Sequence, residues 1–165
     1  MTEQIRRISA FNSAKASENK MHDDAVARTY GFAGGLVTGV DIFAYMAHMP
    51  VAAWGRDFLA RGAMEARFLK PVYDREAIMI IADDRDGAMA LRVESRGEVC
   101  ATAQATLPAA APLVDAHGYQ DTKPVVERAP VGPSSYAAGA WLGTAPTIWR
   151  EDTAAVYLGE VREDD

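Results

Sequence analysis

The residues best suited to acid–base chemistry lie close together near the start of the chain. His22 follows Glu18 and Asn19, and two aspartates come directly after it. An imidazole beside a carboxylate can take a proton from water and pass it on, because both groups titrate at or below neutral pH. The spacing therefore predicts a catalytic set of His22, Glu18 and Asn19, in which Asn19 orients a water molecule or holds the loop.

A second group of candidates lies where a glycine-rich segment leads into an apolar stretch at residues 40–54. The N-terminus of a buried helix presents free amides and a favourable dipole to a developing anion. Gly39 would let a ligand approach the backbone closely. We therefore expect Thr38 and Gly39 to bind substrate. Asp41 either complements the helix dipole or supplies a carboxylate to the site.

Two helices must position these candidates. Residues 24–30 predict a short helix, capped by Asp23 or Asp24 and ended by Gly31. Residues 40–54 are apolar almost all round, which is typical of a helix buried on most sides by a sheet. Pro50 predicts that this helix ends near residue 49 or kinks there.

Alternating apolar residues after the long helix predict successive antiparallel strands. An Asp-Gly pair at residues 86–87 is typical of a tight hairpin turn. A helix followed by such strands predicts an α+β fold with a sheet curled around one helix. The predicted strands are residues 5–11, 63–69, 77–82, 88–93 and 99–107.

The composition limits the classes of protein that remain. A net charge of −6 over 165 residues argues against a nucleic-acid partner or a basic membrane patch. The single cysteine, Cys100, excludes an internal disulfide and a cysteine-rich zinc site, so we expect a buried structural thiol and no metal. The longest apolar segment is too short to span a bilayer. A cytoplasmic protein is therefore expected.

The C-terminal third differs from the rest of the chain. Residues 108–133 are rich in Ala, Pro and Gly and predict a linker, whereas residues 147–161 predict a short helix. Residues 108–165 therefore form an extension to a domain at residues 1–107. The extension either packs Trp141 and Trp149 back on the domain or leads into a second unit.

Three segments resemble the MaoC-like hydratase/dehydratase family over about residues 5–107. They read Ser-Glu-Asn-Lys-Met-His-Asp-Asp-Ala at 17–25, Gly-Gly-Leu-Val-Thr-Gly at 34–39 and Ala-Arg-Phe-Leu-Lys-Pro-Val-Tyr at 66–73. Ser17 stands where the family has its catalytic aspartate and is assigned to substrate binding. Thr38 stands where the family has a histidine.

The resemblance implies a hot-dog fold that dimerises so that two sheets join. The implied partners are a second hot-dog unit, in a homodimer or a larger protein, and an enoyl or 3-hydroxyacyl thioester of coenzyme A or an acyl carrier. Coenzyme A would be part of the substrate, and no other cofactor is implied. The implied reaction adds or removes water at the double bond next to the thioester.

Two other functions stay open from the residues. A hot-dog thioesterase could use Asp41 or Glu18 to activate water at the carbonyl. A non-catalytic acyl-binding or structural half of a larger hot-dog protein is the third possibility. In structural terms, His22 could simply orient the short helix, and Glu18 could simply be solvated.

Overall fold

Five antiparallel strands and one long helix dominate the computed structural model, which describes residues 3–111, 113, 130, 132–139 and 148–161. The strands are β1 (Glu3–Ser9), β2 (Ala63–Phe68), β3 (Ala77–Arg85), β4 (Ala88–Ser95) and β5 (Glu98–Thr106). The helices are α1 (Asp24–Thr29), α2 (Gly39–Trp54), α3 (Arg56–Arg61) and α4 (Glu151–Val161). Short 3₁₀ helices span Lys20–His22 and Pro133–Tyr136.

The strands form one sheet in the order β1-β3-β4-β5-β2. Two-residue turns connect its central strands. Asp86 and Gly87 join β3 to β4 with φ values of 51° and 78°, and Arg96 and Gly97 join β4 to β5 with 53° and 75°. Positive φ at both central residues defines the hairpin turn whose twist matches that of the strands. The turn predicted from Asp-Gly is therefore confirmed.

The core lies between α2 and the concave face of the sheet. Tyr45 and Met46 on the helix are fully buried, and they pack in one cluster with Ile80 and Val93 from the strands. The helix contacts β2, β3, β4 and β5. A sheet wrapped around a central helix is the hot-dog arrangement, so the predicted α+β hot-dog fold is confirmed.

The long helix differs from its prediction at the C-terminal end. It continues through Pro50 as far as Trp54, which excludes an end near residue 49; the alternative expectation, a kink at Pro50, stays a prediction. A proline inside a helix removes one backbone hydrogen bond and costs about 3 kcal/mol. Pro50 is itself buried against the core, and apolar packing on most sides of the helix offsets that cost.

The remaining elements agree closely with the sequence pattern. Each predicted strand is present, with ends shifted by at most three residues. Asp23 caps α1 by accepting from the amides of Ala25 and Val26, and Gly31 follows the helix with a φ of 87°. No element was predicted for residues 55–62, where the structure has the short helix α3.

The C-terminal extension contains one described α-helix, α4, inside the range predicted to be helical. Tyr157 on this helix packs against the core, whereas Trp149 is exposed. Trp141 and most of residues 108–133 lie outside the described part of the chain. The domain boundary at residue 107 stays a prediction. Within the described residues, no helix has the length and apolar character needed to cross a bilayer.

Candidate functional site

A cavity of about 410 Å³ is lined by one member of each predicted group of candidates. His22 lines it, and Gly39 at the first turn of α2 lines it as well. The remaining surface is mainly apolar and includes Leu36, Ile42 and Phe68. Pockets of this kind, with a few polar groups in an apolar wall, are typical of small-molecule sites.

The His22 ring is held in one orientation by a backbone carbonyl. Its Nδ1 lies 2.7 Å from the carbonyl oxygen of Leu36. Because a carbonyl only accepts, Nδ1 carries a proton and donates it to Leu36. In the neutral imidazole the other nitrogen, Nε2, then carries the lone pair, which accepts from the Asn19 side-chain amide at 3.4 Å. His22 is therefore set up to accept a proton at Nε2.

The loop before His22 is held by local contacts. The Asn19 side-chain amide lies 3.4 Å from Nε2 of His22, and its Oδ1 accepts from the Met21 amide at 3.3 Å. The Ser17 hydroxyl donates to the Asn19 carbonyl at 3.2 Å. Asn19 thus holds the loop and reaches the imidazole. Ser17 turns its hydroxyl toward its own loop, and it does not line the cavity.

Glu18 does not join this arrangement. Its side chain is exposed and makes no hydrogen bond or ion pair with any described residue. The ring contacts of His22 within the described chain are Leu36 and Asn19, so no carboxylate bonds to the imidazole. The structure therefore does not bring the predicted catalytic pair of Glu18 and His22 together.

The N-terminus of α2 forms the opposite side of the cavity. Thr38 is the cap residue, and its hydroxyl accepts from the Asp41 amide at 3.1 Å. In the described chain, the backbone amides of Gly39 and Val40 donate to no protein acceptor. The Phe68 ring lies against Gly39, so a Cβ at that position would come within 3.3 Å of it. Two donors are thus available beside an aromatic wall.

Asp41 lies outside the described lining of the cavity, and its assignment to substrate binding stays a prediction. Its side chain is 0% exposed. The carboxylate accepts from the Ser13 hydroxyl at 2.8 and 3.0 Å and from the Tyr157 hydroxyl at 3.1 Å. A buried carboxylate needs such donors to offset its lost hydration. Asp41 is therefore engaged in holding three segments of the chain together.

A pair of adjacent residues that sequence reasoning missed connects the two sides of the site. Asn12 is 2% exposed and donates from Nδ2 to the carbonyl oxygen of His22 at 2.8 Å. Its neighbour Ser13 bonds to Asp41. The only sequence signal was a polar Asn-Ser pair directly after an apolar strand, which is also typical of an ordinary turn.

Asp74 anchors the Asn12–Ser13 pair through the backbone of Asn12. Its carboxylate accepts hydrogen bonds from the backbone amide of Asn12 at 2.9 Å and from Lys15 Nζ at 2.6 Å. Burial alone would raise the pKa of Asp74, but the bonds from Lys15 and Asn12 and the charges of Lys15 and Arg75 outweigh it and lower the pKa. Asp74 therefore stays ionised and keeps the loop anchored.

Lys70 is the one cationic side chain among the described lining residues. It donates to Glu98 at 2.6 Å, and this hydrogen bond lowers the pKa of Glu98. Cys100 also lines the cavity and is a buried free thiol, as predicted. Among the described residues, no group of three or more His, Cys, Asp or Glu side chains is arranged to hold a metal ion.

Two solved structures are similar to the described fold. The MaoC-like dehydratase from Phytophthora capsici matches with a TM-score of 0.55 and 16% identity over 66% of this chain and 42% of that chain. The R-hydratase PhaJ1 from Pseudomonas aeruginosa matches with a TM-score of 0.50 and 18% identity over 75% of this chain and 89% of that chain. The chain thus spans less than half of the dehydratase's length.

At these identities the likeness shows the fold: the chain is a hot-dog protein. The fold therefore agrees with the resemblance drawn from the three sequence segments. No family model matches the sequence, and no curated protein is similar enough to count as a match.

Proposed function

We propose that the protein is an acyl-thioester hydratase or dehydratase of the MaoC-like type, acting on enoyl or 3-hydroxyacyl thioesters. The observation that carries this proposal is the shared cavity, which both His22 and Gly39 line. His22 donates from Nδ1 to Leu36, and at the α2 N-terminus the amides of Gly39 and Val40 have no acceptor among the described residues. The names of the two similar structures, a MaoC-like dehydratase and an R-hydratase, support the same class.

His22 can account for the proton transfers of this reaction. In hydration, Nε2 takes a proton from water while the water oxygen bonds to the β-carbon of the enoyl thioester. The double bond shifts to give a thioester enolate, whose oxygen accepts hydrogen bonds from the α2 amides. The imidazolium then returns its proton to the α-carbon. One water is added, the neutral imidazole is restored, and dehydration is the reverse.

The α2 N-terminus suits the enolate better than the neutral substrate. The helix dipole and two amides interact more strongly with a full negative charge than with a carbonyl. The apolar wall that includes Phe68 and Ile42 excludes water and so strengthens these bonds. Gly39 carries no side chain that would stand between the thioester and the backbone.

A second candidate is an acyl-binding protein without turnover. Two observations favour it: Ser17 stands where the MaoC-like family has an aspartate, and no described carboxylate bonds to His22. The thioesterase alternative has less support, because the Asp41 carboxylate is buried and already hydrogen-bonded to Ser13, and Glu18 makes no hydrogen bond with His22.

The test follows crotonyl-CoA with two assays in parallel, one for loss of the conjugated double bond and one for thiol release. We expect hydration by the wild-type protein. We expect His22→Gln and His22→Ala to lower kcat/KM by about 100-fold or more, in line with the loss of a general base. Lys20→Ala, an exposed loop residue that bonds to the Ser17 carbonyl, is the matched control and should retain activity.

Three outcomes would contradict the proposal. Thiol release without hydration indicates a thioesterase. Tight binding of the thioester without either reaction indicates an acyl-binding protein. Full hydratase activity in His22→Ala removes the imidazole from the mechanism.

We also propose that a second copy of the chain is a partner, through the edge strand β2. This strand pairs only with β5 in the described sheet. Glu65 and Arg67 lie on its outer face and are about 80% exposed. An antiparallel pairing of two copies centred on Ala66 would place Glu65 of each copy opposite Arg67 of the other, which favours this register.

Charge exchange tests the proposed dimer. We expect a dimer in sedimentation experiments, weakened by Glu65→Arg because like charges then face each other. The double variant Glu65→Arg/Arg67→Glu should restore it. A monomeric wild-type protein, or a dimer that is indifferent to both changes, would contradict the proposed pairing.

A further inference from the structure

The C-terminal helix contacts the molecule at a fully buried carboxylate. Asp41, in the first turn of α2, is 0% exposed and receives hydrogen bonds from Ser13 and Tyr157. No lysine or arginine of the described residues pairs with it. A buried carboxyl group that is bonded to neutral donors depends strongly on each of them, because a lost donor leaves an oxygen without hydration.

Tyr157 reaches this carboxylate from a distant part of the chain. Its hydroxyl donates to Oδ1 of Asp41 at 3.1 Å across a sequence separation of 116 residues. The ring is partly buried and packs against the core, and α4 contacts α2. The helix therefore contacts the same first turn of α2 that contains the cavity-lining Gly39.

The carboxylate belongs to that turn. The Asp41 amide donates to the Thr38 hydroxyl, and Gly39 and Val40 lie between these two residues. The bonds of the Asp41 side chain and of the Thr38 cap therefore hold both ends of the segment that carries the two free amides. Hydrogen bonds to a developing charge are sensitive to shifts below 1 Å.

The same carboxylate is tied to the His22 loop. Ser13 bonds to Asp41, and the adjacent Asn12 donates to the His22 carbonyl oxygen. Tyr157, Asp41, Ser13 and Asn12 thus form one continuous path from α4 to the backbone of His22. Both sides of the proposed site rest on it.

We infer that Tyr157 is a positioning residue of the site: it holds Asp41, and through Asp41 it orients the α2 amides that receive the thioester oxygen. The inference rests on the proposed function for its effect on catalysis. Its effect on the amides themselves stands independently of that function.

Tyr157→Phe is the decisive variant, because it removes one hydroxyl and keeps the ring in the core. We expect kcat for crotonyl-CoA hydration to fall about tenfold with little change in KM, since the amides act on the transition state. Tyr30→Phe is the matched control. Its side chain is 70% exposed, and the same change there should leave kcat unaltered.

A second measurement needs no activity. In ¹⁵N–¹H spectra, Tyr157→Phe should shift the amide resonances of Gly39 and Val40, and Tyr30→Phe should leave them in place. Ser13→Ala removes another donor to the same carboxylate, and its effect should be non-additive with that of Tyr157→Phe.

The two measurements separate the two proposals. If the wild-type protein has no hydratase activity but Tyr157→Phe shifts the Gly39 and Val40 amides, the proposed function fails and the positioning role stands. If Tyr157→Phe only lowers the melting temperature, with kcat and both amide resonances unchanged, Tyr157 is merely structural and the inference is overturned.

Discussion

The two sides of the cavity are built in different ways. The loop at residues 17–22 is largely exposed, and most of its bonds join residues two or three positions apart, as from Asn19 to Met21. The first turn of α2 is held by contacts from distant segments, through Ser13 and Tyr157. The loop that supplies the base is therefore held mainly by local bonds, although His22 itself also bonds to Leu36 and Asn12. The side that supplies the amides depends on tertiary structure.

This difference suggests a division of tasks. A loop with local bonds can adjust to a substrate at low cost, because few distant contacts must break. A helix end that receives charge gains from being fixed beforehand, since reorganisation during the reaction adds to the barrier. We expect changes in the loop to have small effects on stability and changes around α2 to have large ones.

The largest effect is expected where the two sides meet. Gly35 packs so closely against His22 that a Cβ added at Gly35 would overlap the His22 carbonyl oxygen. The same Cβ would lie 3.2 Å from the side-chain Nδ2 of Asn12. Gly35→Ala should therefore lower the free energy of unfolding by about 3 kcal/mol, the upper part of the range for overpacking. Urea denaturation measures it, with Gly132→Ala, where a Cβ meets no described atom, as the control. A loss below about 1 kcal/mol would mean that the contact adjusts freely.

A middle-sized effect is expected at the cap of α2. Thr38→Ala removes the side-chain acceptor of the Asp41 amide and should lower the free energy of unfolding by about 1 kcal/mol. Thr38→Ser retains the hydroxyl and should recover most of this loss. Equal losses in the two variants, again measured in urea, would assign the effect to the missing methyl group instead of the cap.

The smallest effect is expected in the loop. Glu18→Gln removes a charge that contacts no described residue, so stability should change by less than about 0.5 kcal/mol and hydratase activity should persist. Steady-state kinetics with crotonyl-CoA measure the hydratase activity of the variant. A large fall in kcat would reinstate Glu18 as the partner of His22 and show that the loop closes around the substrate.

The fold was predictable because its signals are local. Asp86-Gly87 and the capping residue Asp23 act within a few positions of themselves, and strand alternation needs only short segments. Pro50 misled the prediction of the α2 end, because burial against the sheet overrides a local helix breaker. The hot-dog resemblance added the sheet's arrangement around the helix.

The site was predictable only in part. His22 and Gly39 were identified by residue type and position, and the structure places both on one cavity. Glu18 is close to His22 in sequence but makes no hydrogen bond with it, and the Asp41 carboxylate bonds to Ser13 outside the cavity lining. Both follow from side-chain direction, which depends on packing that sequence spacing does not encode. Tyr157 could not be foreseen, since its partner lies 116 residues earlier.

The link between Asp41 and Tyr157 also bears on how the protein matures during translation. A ribosome that adds roughly 5 to 20 residues per second needs about 6 to 23 s to travel the 116 residues between them. During that time the sheet and α2 can assemble while the Asp41 carboxylate still lacks one of its donors. The nascent domain can therefore acquire its shape first, and the bonds to this carboxylate are complete only when Tyr157 has emerged.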